Sequence, residues 1–297
     1  MFTFAVQDEV MTESADLRQL TPNSAVRRDI VTGRGTFATL VAEPEGSARA
    51  TALLVPGYTG SKEDFAPIYD PLAAAGLRVV GLDQRGQYQS AGGDDPALYS
   101  VESLGADIAA VADTLGTPVH LLGHSFGGLT TRAAVIGKPS AFASLTLHAT
   151  GPSKLDGQRR TVVELAAPML PHRPLSEIYD LGQQLNAQDP SFVAPQEPLK
   201  SFFRDRFVTG SAASLLGMGE SMLTEPDRVA ELKATGVPVL VMYSLQDNAW
   251  APDLQADMAV RLGAREVVVP GAMHSPAVEN PAVTAATLIG FWDDVTD

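Results

Sequence analysis

The chain has no cysteine. That excludes disulfides, thiolate metal sites and a thiol nucleophile, and it suits a cytoplasmic location without requiring one. Positive charge is scarce: 21 lysines and arginines face 35 acids, a formal net charge of -14 over 297 residues. A protein that grips nucleic acid needs a basic patch, and one that docks on anionic lipid needs the same, so neither partner is expected. No uninterrupted apolar run reaches the ~18 residues of a membrane span, so no integral membrane association is expected. The first ten residues carry Asp8 and Glu9 and no basic run, unlike a signal peptide. What the chain has in quantity is apolar residues, 45% of the total, enough for the core of one α/β domain that carries an insertion.

Residues 1–28 show no clear periodicity and read as a peripheral arm. Ile30 to Ala42 alternates around Gly33-Arg34-Gly35, the pattern of a hairpin. Continuous apolar runs then follow at Thr51–Val55, Arg78–Leu82, Val119–Leu122 and Ala143–His148, each suited to a strand buried on both faces. Helical segments separate them: Phe65–Ala75, Val101–Leu115 and Leu129–Ile136. Strand and helix alternating at this spacing give a mostly parallel sheet with helices on both faces. The rhythm fails over residues 151–233, where prolines cluster (Pro168, Pro171, Pro174, Pro190, Pro195, Pro198) and the readable segments are helical. It resumes at Val237–Tyr243, with a helix over Pro252–Leu262, a strand over Glu266–Val269 and a last helix over Pro281–Val295. The expected organisation is an α/β core over 29–150 and 234–297, with 151–233 inserted as a helical lid.

The chemistry is concentrated in Gly123-His124-Ser125-Phe126-Gly127-Gly128, between a strand and a helix. A strand that turns sharply into a helix strains the turn residue and leaves its side chain free at the sheet edge, and flanking glycines relieve the crowding. A serine there needs a base. Of the five histidines, His274 lies in the loop after the last strand, on the rim where Ser125 is expected, whereas His120 and His148 fall in strands and His172 in the lid. Asp247, four residues past Tyr243, is placed to orient that base; Asp253 and Asp257 fall inside the next helix. The order Ser, Asp, His along the chain is that of the strand–elbow–helix hydrolases. Oxyanion donors are expected from the N–H of Phe126 and from the loop Pro56-Gly57-Tyr58-Thr59-Gly60. Pro56 has no N–H, so Tyr58 is assigned, with Thr59 the alternative.

These pieces, together with Asp83-Gln84-Arg85-Gly86, resemble the α/β-hydrolase-fold serine hydrolases of the lidded esterase and lysophospholipase-like group, over roughly residues 30–297. The resemblance implies an eight-stranded, mostly parallel sheet, no metal, no organic cofactor, a small-molecule ester-like substrate and acylation of Ser125 followed by hydrolysis. The chain departs from the family at Pro56, where histidine is usual, at Gln87-Tyr88 in place of a His/Tyr-Gly pair, and at Trp250 beside the acid loop. Arg85 is expected to brace its loop with Asp83. Candidate substrate contacts are Tyr58, His124 and Trp250 of the core, with Phe202, Phe203, Met218 and Met222 of an apolar lid that also carries Phe192 and Phe207. The reaction expected first is carboxylic ester hydrolysis on small to medium apolar substrates. Carbon–carbon bond hydrolysis, lactone hydrolysis and perhydrolysis share the triad, and a non-enzymatic ligand-binding role is the remaining alternative.

Overall fold

The computed structural model describes residues 17–157, 159–188 and 193–296. Pro190, Phe192 and the first sixteen residues of the expected arm lie outside the described residues. The first strand, β1 (Val26–Thr32), begins three residues before the expected core boundary and folds back on β2 (Gly35–Ala42) through the foreseen turn. Next come β3 (Ala50–Val55), α1 (Tyr69–Ala74), β4 (Leu77–Leu82), α2 (Val101–Leu115), β5 (Val119–His124), α3 (Phe126–Gly137) and β6 (Phe142–His148). The inserted segment holds α4 (Arg159–Ala166), α5 (Leu175–Asn186), α6 (Leu199–Thr209) and α7 (Ala212–Thr224). The chain closes with α8 (Val229–Ala234), β7 (Val239–Tyr243), α9 (Pro252–Leu262), β8 (Arg265–Val268), α10 (Pro276–Glu279) and α11 (Pro281–Thr296).

The strands make one eight-stranded sheet in the order β1-β2-β4-β3-β5-β6-β7-β8. β2 runs antiparallel to both β1 and β4, and the remaining neighbours are parallel. Parallel strands need crossover connections, and these helices cover both faces. On one face, Leu53, Val55, Leu121, Leu145 and Val241 pack with residues of α2, α3, α8 and α9. On the other, Leu54, Val79, Leu122, Leu240 and Met242 pack with α1 and α11, including the fully buried Trp292. The central strands are therefore mainly apolar on both faces, which is why they read as near-continuous runs. The edge strands β1 and β8 are largely exposed.

α8 crosses the expected boundary at 233. Val229 and Leu232 are buried in the same cluster as Met258, Ala259 and Leu262 of α9. The junction of the inserted segment with the core is a buried ion pair. Arg132 of α3 donates to Glu225 just past α7 at 2.8 Å and also to the Pro152 carbonyl. Removing either charge would strand the other out of water, so the pair fixes where the insertion joins the core.

Candidate active site

β5 ends in the elbow. Ser125 has φ 55°, a conformation non-glycine residues avoid, and its N–H donates to the His148 carbonyl at 2.9 Å, which ties the strained turn to β6. The glycines are required by close approach. A Cβ on Gly127 would stand 2.5 Å from the Pro56 carbonyl oxygen and 2.6 Å from that of Val55, and one on Gly123 would run into Thr131 and the Gly127 carbonyl. Both obstacles at Gly127 are backbone, so no rotamer change makes room. α3 is thereby pressed against the end of β3, with Ser125 at its N-terminus.

Three loops at the carboxyl ends of the strands bring the expected side chains together. His274 Nε2 lies 2.9 Å from Ser125 Oγ, and His274 Nδ1 lies 2.8 Å from Asp247 Oδ1. The Asp247 carboxylate also accepts from the Ala249 N–H at 2.8 Å and from Gln255 Nε2 at 2.9 Å. Burial by itself would raise the pKa of Asp247, but the bonds from His274, Ala249 and Gln255 hold it below the usual carboxylate value. Because Asp247 is then an acceptor, Nδ1 of His274 carries the proton and Nε2 is left to accept from the serine hydroxyl. Burial pushes His274 down to about 4, against the opposing pull of Asp247. An imidazole can act as a base only when neutral, so activity that depends on His274 as base would be lost as pH falls through that value. The expected kcat/KM is level from pH 7 down to about 5 and half-maximal near 4. A pH–rate profile run on enzyme shown to remain folded by circular dichroism checks this, and a half-maximum near 6.5 would contradict it.

The loop after β3 stands on the other side of the serine. A Cβ on Gly57 would come within 2.9 Å of Ser125 Cβ. Residues 57–60 close a turn through Gly60 N–H to the Gly57 carbonyl at 3.1 Å, with Thr59 at φ 59°. The N–H groups of Phe126 and Tyr58 have no hydrogen-bond partner among the described residues. Two glutamines that sequence reasoning left without a role fix this loop. Gln84 Nε2 donates to the Pro56 carbonyl at 2.9 Å and Gln87 Nε2 to that of Gly57 at 2.7 Å. Gln87 accepts in turn from the Gln84 N–H, and Gln84 from Thr130. A trans peptide is planar, so holding the Gly57 carbonyl toward Gln87 aims the Tyr58 N–H the opposite way. Gln87→Leu, nearly isosteric but without the amide, is expected to lower kcat about tenfold with little change in KM. Steady-state kinetics on one ester check it, and a rise in KM alone would contradict it.

The expected brace between Arg85 and Asp83 is not formed. Arg85 clasps Asp107 of α2 through Nε at 2.7 Å and Nη2 at 2.6 Å, while Asp83 holds the buried Lys62 at 2.8 Å. The fork reaches a carboxylate 22 positions on, and Asp83 faces the loop after β3 instead. His124, expected among the substrate contacts, is buried behind the triad. Its Nε2 donates to the His274 carbonyl at 2.7 Å, because its alternating position on β5 sends the ring to the face shared with His148. It steadies the histidine loop. Met218 and Met222 of α7 and Trp250 share one apolar cluster with Phe126, and Tyr58 packs against it. Tyr58 Oη also donates to the Leu215 carbonyl of α7 at 2.9 Å, fastening the loop after β3 to that helix. Phe202 and Phe203 stand apart from that cluster, packed on Arg206, with Phe202 edge-on to Tyr88. Gln255, which supplies the second support of Asp247, had no signal in the sequence beyond its place in α9. Among the described residues, no three or more acids and histidines stand together so as to hold a metal ion. Nor is any helix among them long and apolar enough to cross a membrane.

Residues 52–287 match the model of the alpha/beta hydrolase family. The monoacylglycerol lipase of Mycolicibacterium smegmatis is 27% identical over 210 residues, 69% of this chain and 72% of its own. The pimeloyl-[acyl-carrier protein] methyl ester esterase of Edwardsiella ictaluri is 26% identical over 274 residues, 84% of this chain and 95% of its own. Among solved structures, the enol-lactonase of Burkholderia xenovorans superposes with a TM-score of 0.73 at 21% identity, covering 90% of this chain and all of that one. A strained serine between β5 and α3, a strand order with antiparallel pairing only at one side, and a family match over most of the chain agree: the protein belongs to the alpha/beta hydrolase family and is an esterase-like hydrolase.

Proposed function

We propose that the protein hydrolyses carboxylic esters of small to medium, largely apolar substrates through a Ser125 acyl-enzyme. The observation that carries this reading is the unbroken chain of contacts from Ser125 Oγ through His274 to Asp247, at 2.9 and 2.8 Å. Ser125 Oγ attacks the ester carbonyl carbon as His274 Nε2 takes its proton. The N–H groups of Phe126 and Tyr58 face the oxyanion. When the tetrahedral adduct collapses, the carbon–oxygen bond breaks and Nε2 returns the proton to the departing alcohol. Water then attacks the acyl carbon, giving its proton to Nε2. The second adduct expels Ser125, which recovers the proton as the carboxylic acid leaves. Asp247 accepts from Nδ1 throughout and stabilises the imidazolium. The apolar cluster of Met218, Met222, Trp250 and Phe126 favours an apolar acyl or alcohol part. Two relatives named for action on esters, a monoacylglycerol lipase and a methyl ester esterase, lend weight to the same class.

A panel of p-nitrophenyl esters of graded chain length, run beside lactones and vinylogous diketones, tests it. The expected result is highest kcat/KM on an ester of short to medium chain. Turnover of a diketone or lactone with none of any ester would overturn the reading.

A further inference from the structure

His274 stands in the loop between β8 and α10. Met273 beside it is exposed, so packing does not fix the backbone at that point. Polar side chains hold it instead. Glu279, the last residue of α10, accepts through one oxygen, Oε2, from the Met273 N–H at 2.7 Å and the Ser275 N–H at 2.9 Å, on either side of the base. Ser244, buried just past β7 and three residues before Asp247, donates its hydroxyl to the Met273 carbonyl. His124 Nε2 donates to the His274 carbonyl at 2.7 Å, and Asn280 Nδ2 to the Pro270 carbonyl at 2.8 Å where the loop begins.

These contacts fix one residue in particular. A peptide group is a planar unit. The Met273 carbonyl and the His274 N–H share one such plane, and the His274 carbonyl and the Ser275 N–H share the next. Ser244 holds the first plane. Glu279 and His124 hold the second from its two opposite edges. Both planes flanking the His274 Cα are held, and with them its φ and ψ. The ring keeps only its side-chain torsions, and the contacts with Asp247 and Ser125 settle those. The bond from Ser275, the N-cap of α10, would by itself be a helix cap. The bond from Met273 is not one. That N–H lies two residues before the cap, on the far side of the base.

We infer that Glu279 is a positioning residue for the catalytic base, with Ser244 its counterpart at the start of the acid loop. This deepens the ester-hydrolase reading and rests on it. Glu279 touches no reacting atom. It keeps His274 Nε2 where the imidazole takes the serine proton, and a misplacement of ~1 Å there costs on the order of a hundredfold in rate. An ionised carboxylate suits the task, because its bonds to N–H groups are shorter and stronger than those of a neutral acceptor and survive on an exposed side chain. Ser244 ties the base loop to the end of the strand that leads to Asp247, so base and acid are spaced by a buried hydroxyl as well as by their own bond.

The test is steady-state kinetics on p-nitrophenyl butyrate, run well below the unfolding temperature of each variant. Glu279→Ala is expected to lower kcat about thirtyfold with KM within about twofold of the parent. Glu279→Gln keeps an amide oxygen that can accept from the same two N–H groups, and is expected to recover kcat to within about threefold of the parent. The far-downfield proton resonance of His274 Nδ1–H should be present in the parent and in Glu279→Gln, and lost or shifted in Glu279→Ala. A mere helix cap would lower the unfolding temperature and leave these readouts alone. The inference is therefore overturned by a kcat within about threefold of the parent in Glu279→Ala, by a rise in KM alone, by a Gln variant as slow as the Ala variant, or by an unmoved resonance beside a lowered kcat. If Glu279→Ala does not fold, Ser244→Ala carries the test. It should lose about fivefold in kcat at unchanged KM, and no loss would count against the clamp. Ser125→Ala separates the two levels of failure. If turnover persists without the serine, the ester-hydrolase reading fails. If turnover needs Ser125 but is indifferent to Glu279, only the positioning role fails.

Discussion

Ser125→Ala should abolish ester turnover, a loss on the order of 10^4- to 10^6-fold in kcat, while the protein keeps its fold. The magnitude follows from what the hydroxyl alone supplies. His274 can still be neutral, Asp247 can still orient it and the two backbone donors can still face a carbonyl, but no covalent intermediate can form. Substrate binding should survive, because alanine is smaller than serine and the apolar cluster around Phe126 is untouched. The strained φ at this position costs alanine about as much as serine, so thermal unfolding should move little. Stopped-assay kinetics with differential scanning calorimetry on the same sample separate the two readouts. Turnover retained within about tenfold would mean that the serine is not the nucleophile.

Asp247→Asn is the second large effect, about 10^4-fold in kcat. Asparagine fills the same space and its carbonyl can still accept from Gln255, although the Ala249 N–H, which shares Oδ1 with His274, loses its acceptor when the amide turns toward Nδ1. What changes is the tautomer. An amide placed to donate toward Nδ1 leaves the proton on Nε2, where it confronts Ser125 Oγ with a donor instead of an acceptor. The imidazolium also loses its counter-charge. The loss should ease as pH is raised, when the serine hydroxyl itself ionises more readily, whereas a collapsed loop would show no such recovery. Equal activity of the Asn variant and the parent at pH 7 would remove Asp247 from the mechanism. A crystal structure of the variant with the His274 ring unmoved would show that electrostatics, not displacement, caused the loss.

Much of this site could be read from the chain because its parts are local. The elbow is six consecutive residues between an apolar run and a helix. The central strands are buried on both faces and so are mainly apolar, and Asp247 and His274 each follow a strand closely. What escaped is what depends on partners distant in sequence. Arg85 and Asp83 lie two apart and invite pairing, but Asp107 and Lys62, brought close only by the packed sheet, take them instead. His124 sits beside the nucleophile in sequence, yet the twofold alternation of β5 turns its ring behind the triad. Gln84 lies in a stretch that resembles the family and Gln87 in one that departs from it, and only the folded loop shows that their amides hold the Pro56 and Gly57 carbonyls. α8 is six residues long, and a short apolar face does not say which neighbour will cover it.

Everything rests on one serine hydroxyl being activated by one imidazole. Labelling with a fluorophosphonate, followed by peptide mass spectrometry, addresses that directly, because the reagent captures only an activated nucleophile. The expected result is a single adduct on Ser125, formed in the unaltered protein, absent from Ser125→Ala and slowed at least a hundredfold or so in His274→Ala. An adduct on another residue, no adduct on folded protein, or labelling of Ser125 at an unchanged rate without the imidazole would contradict it.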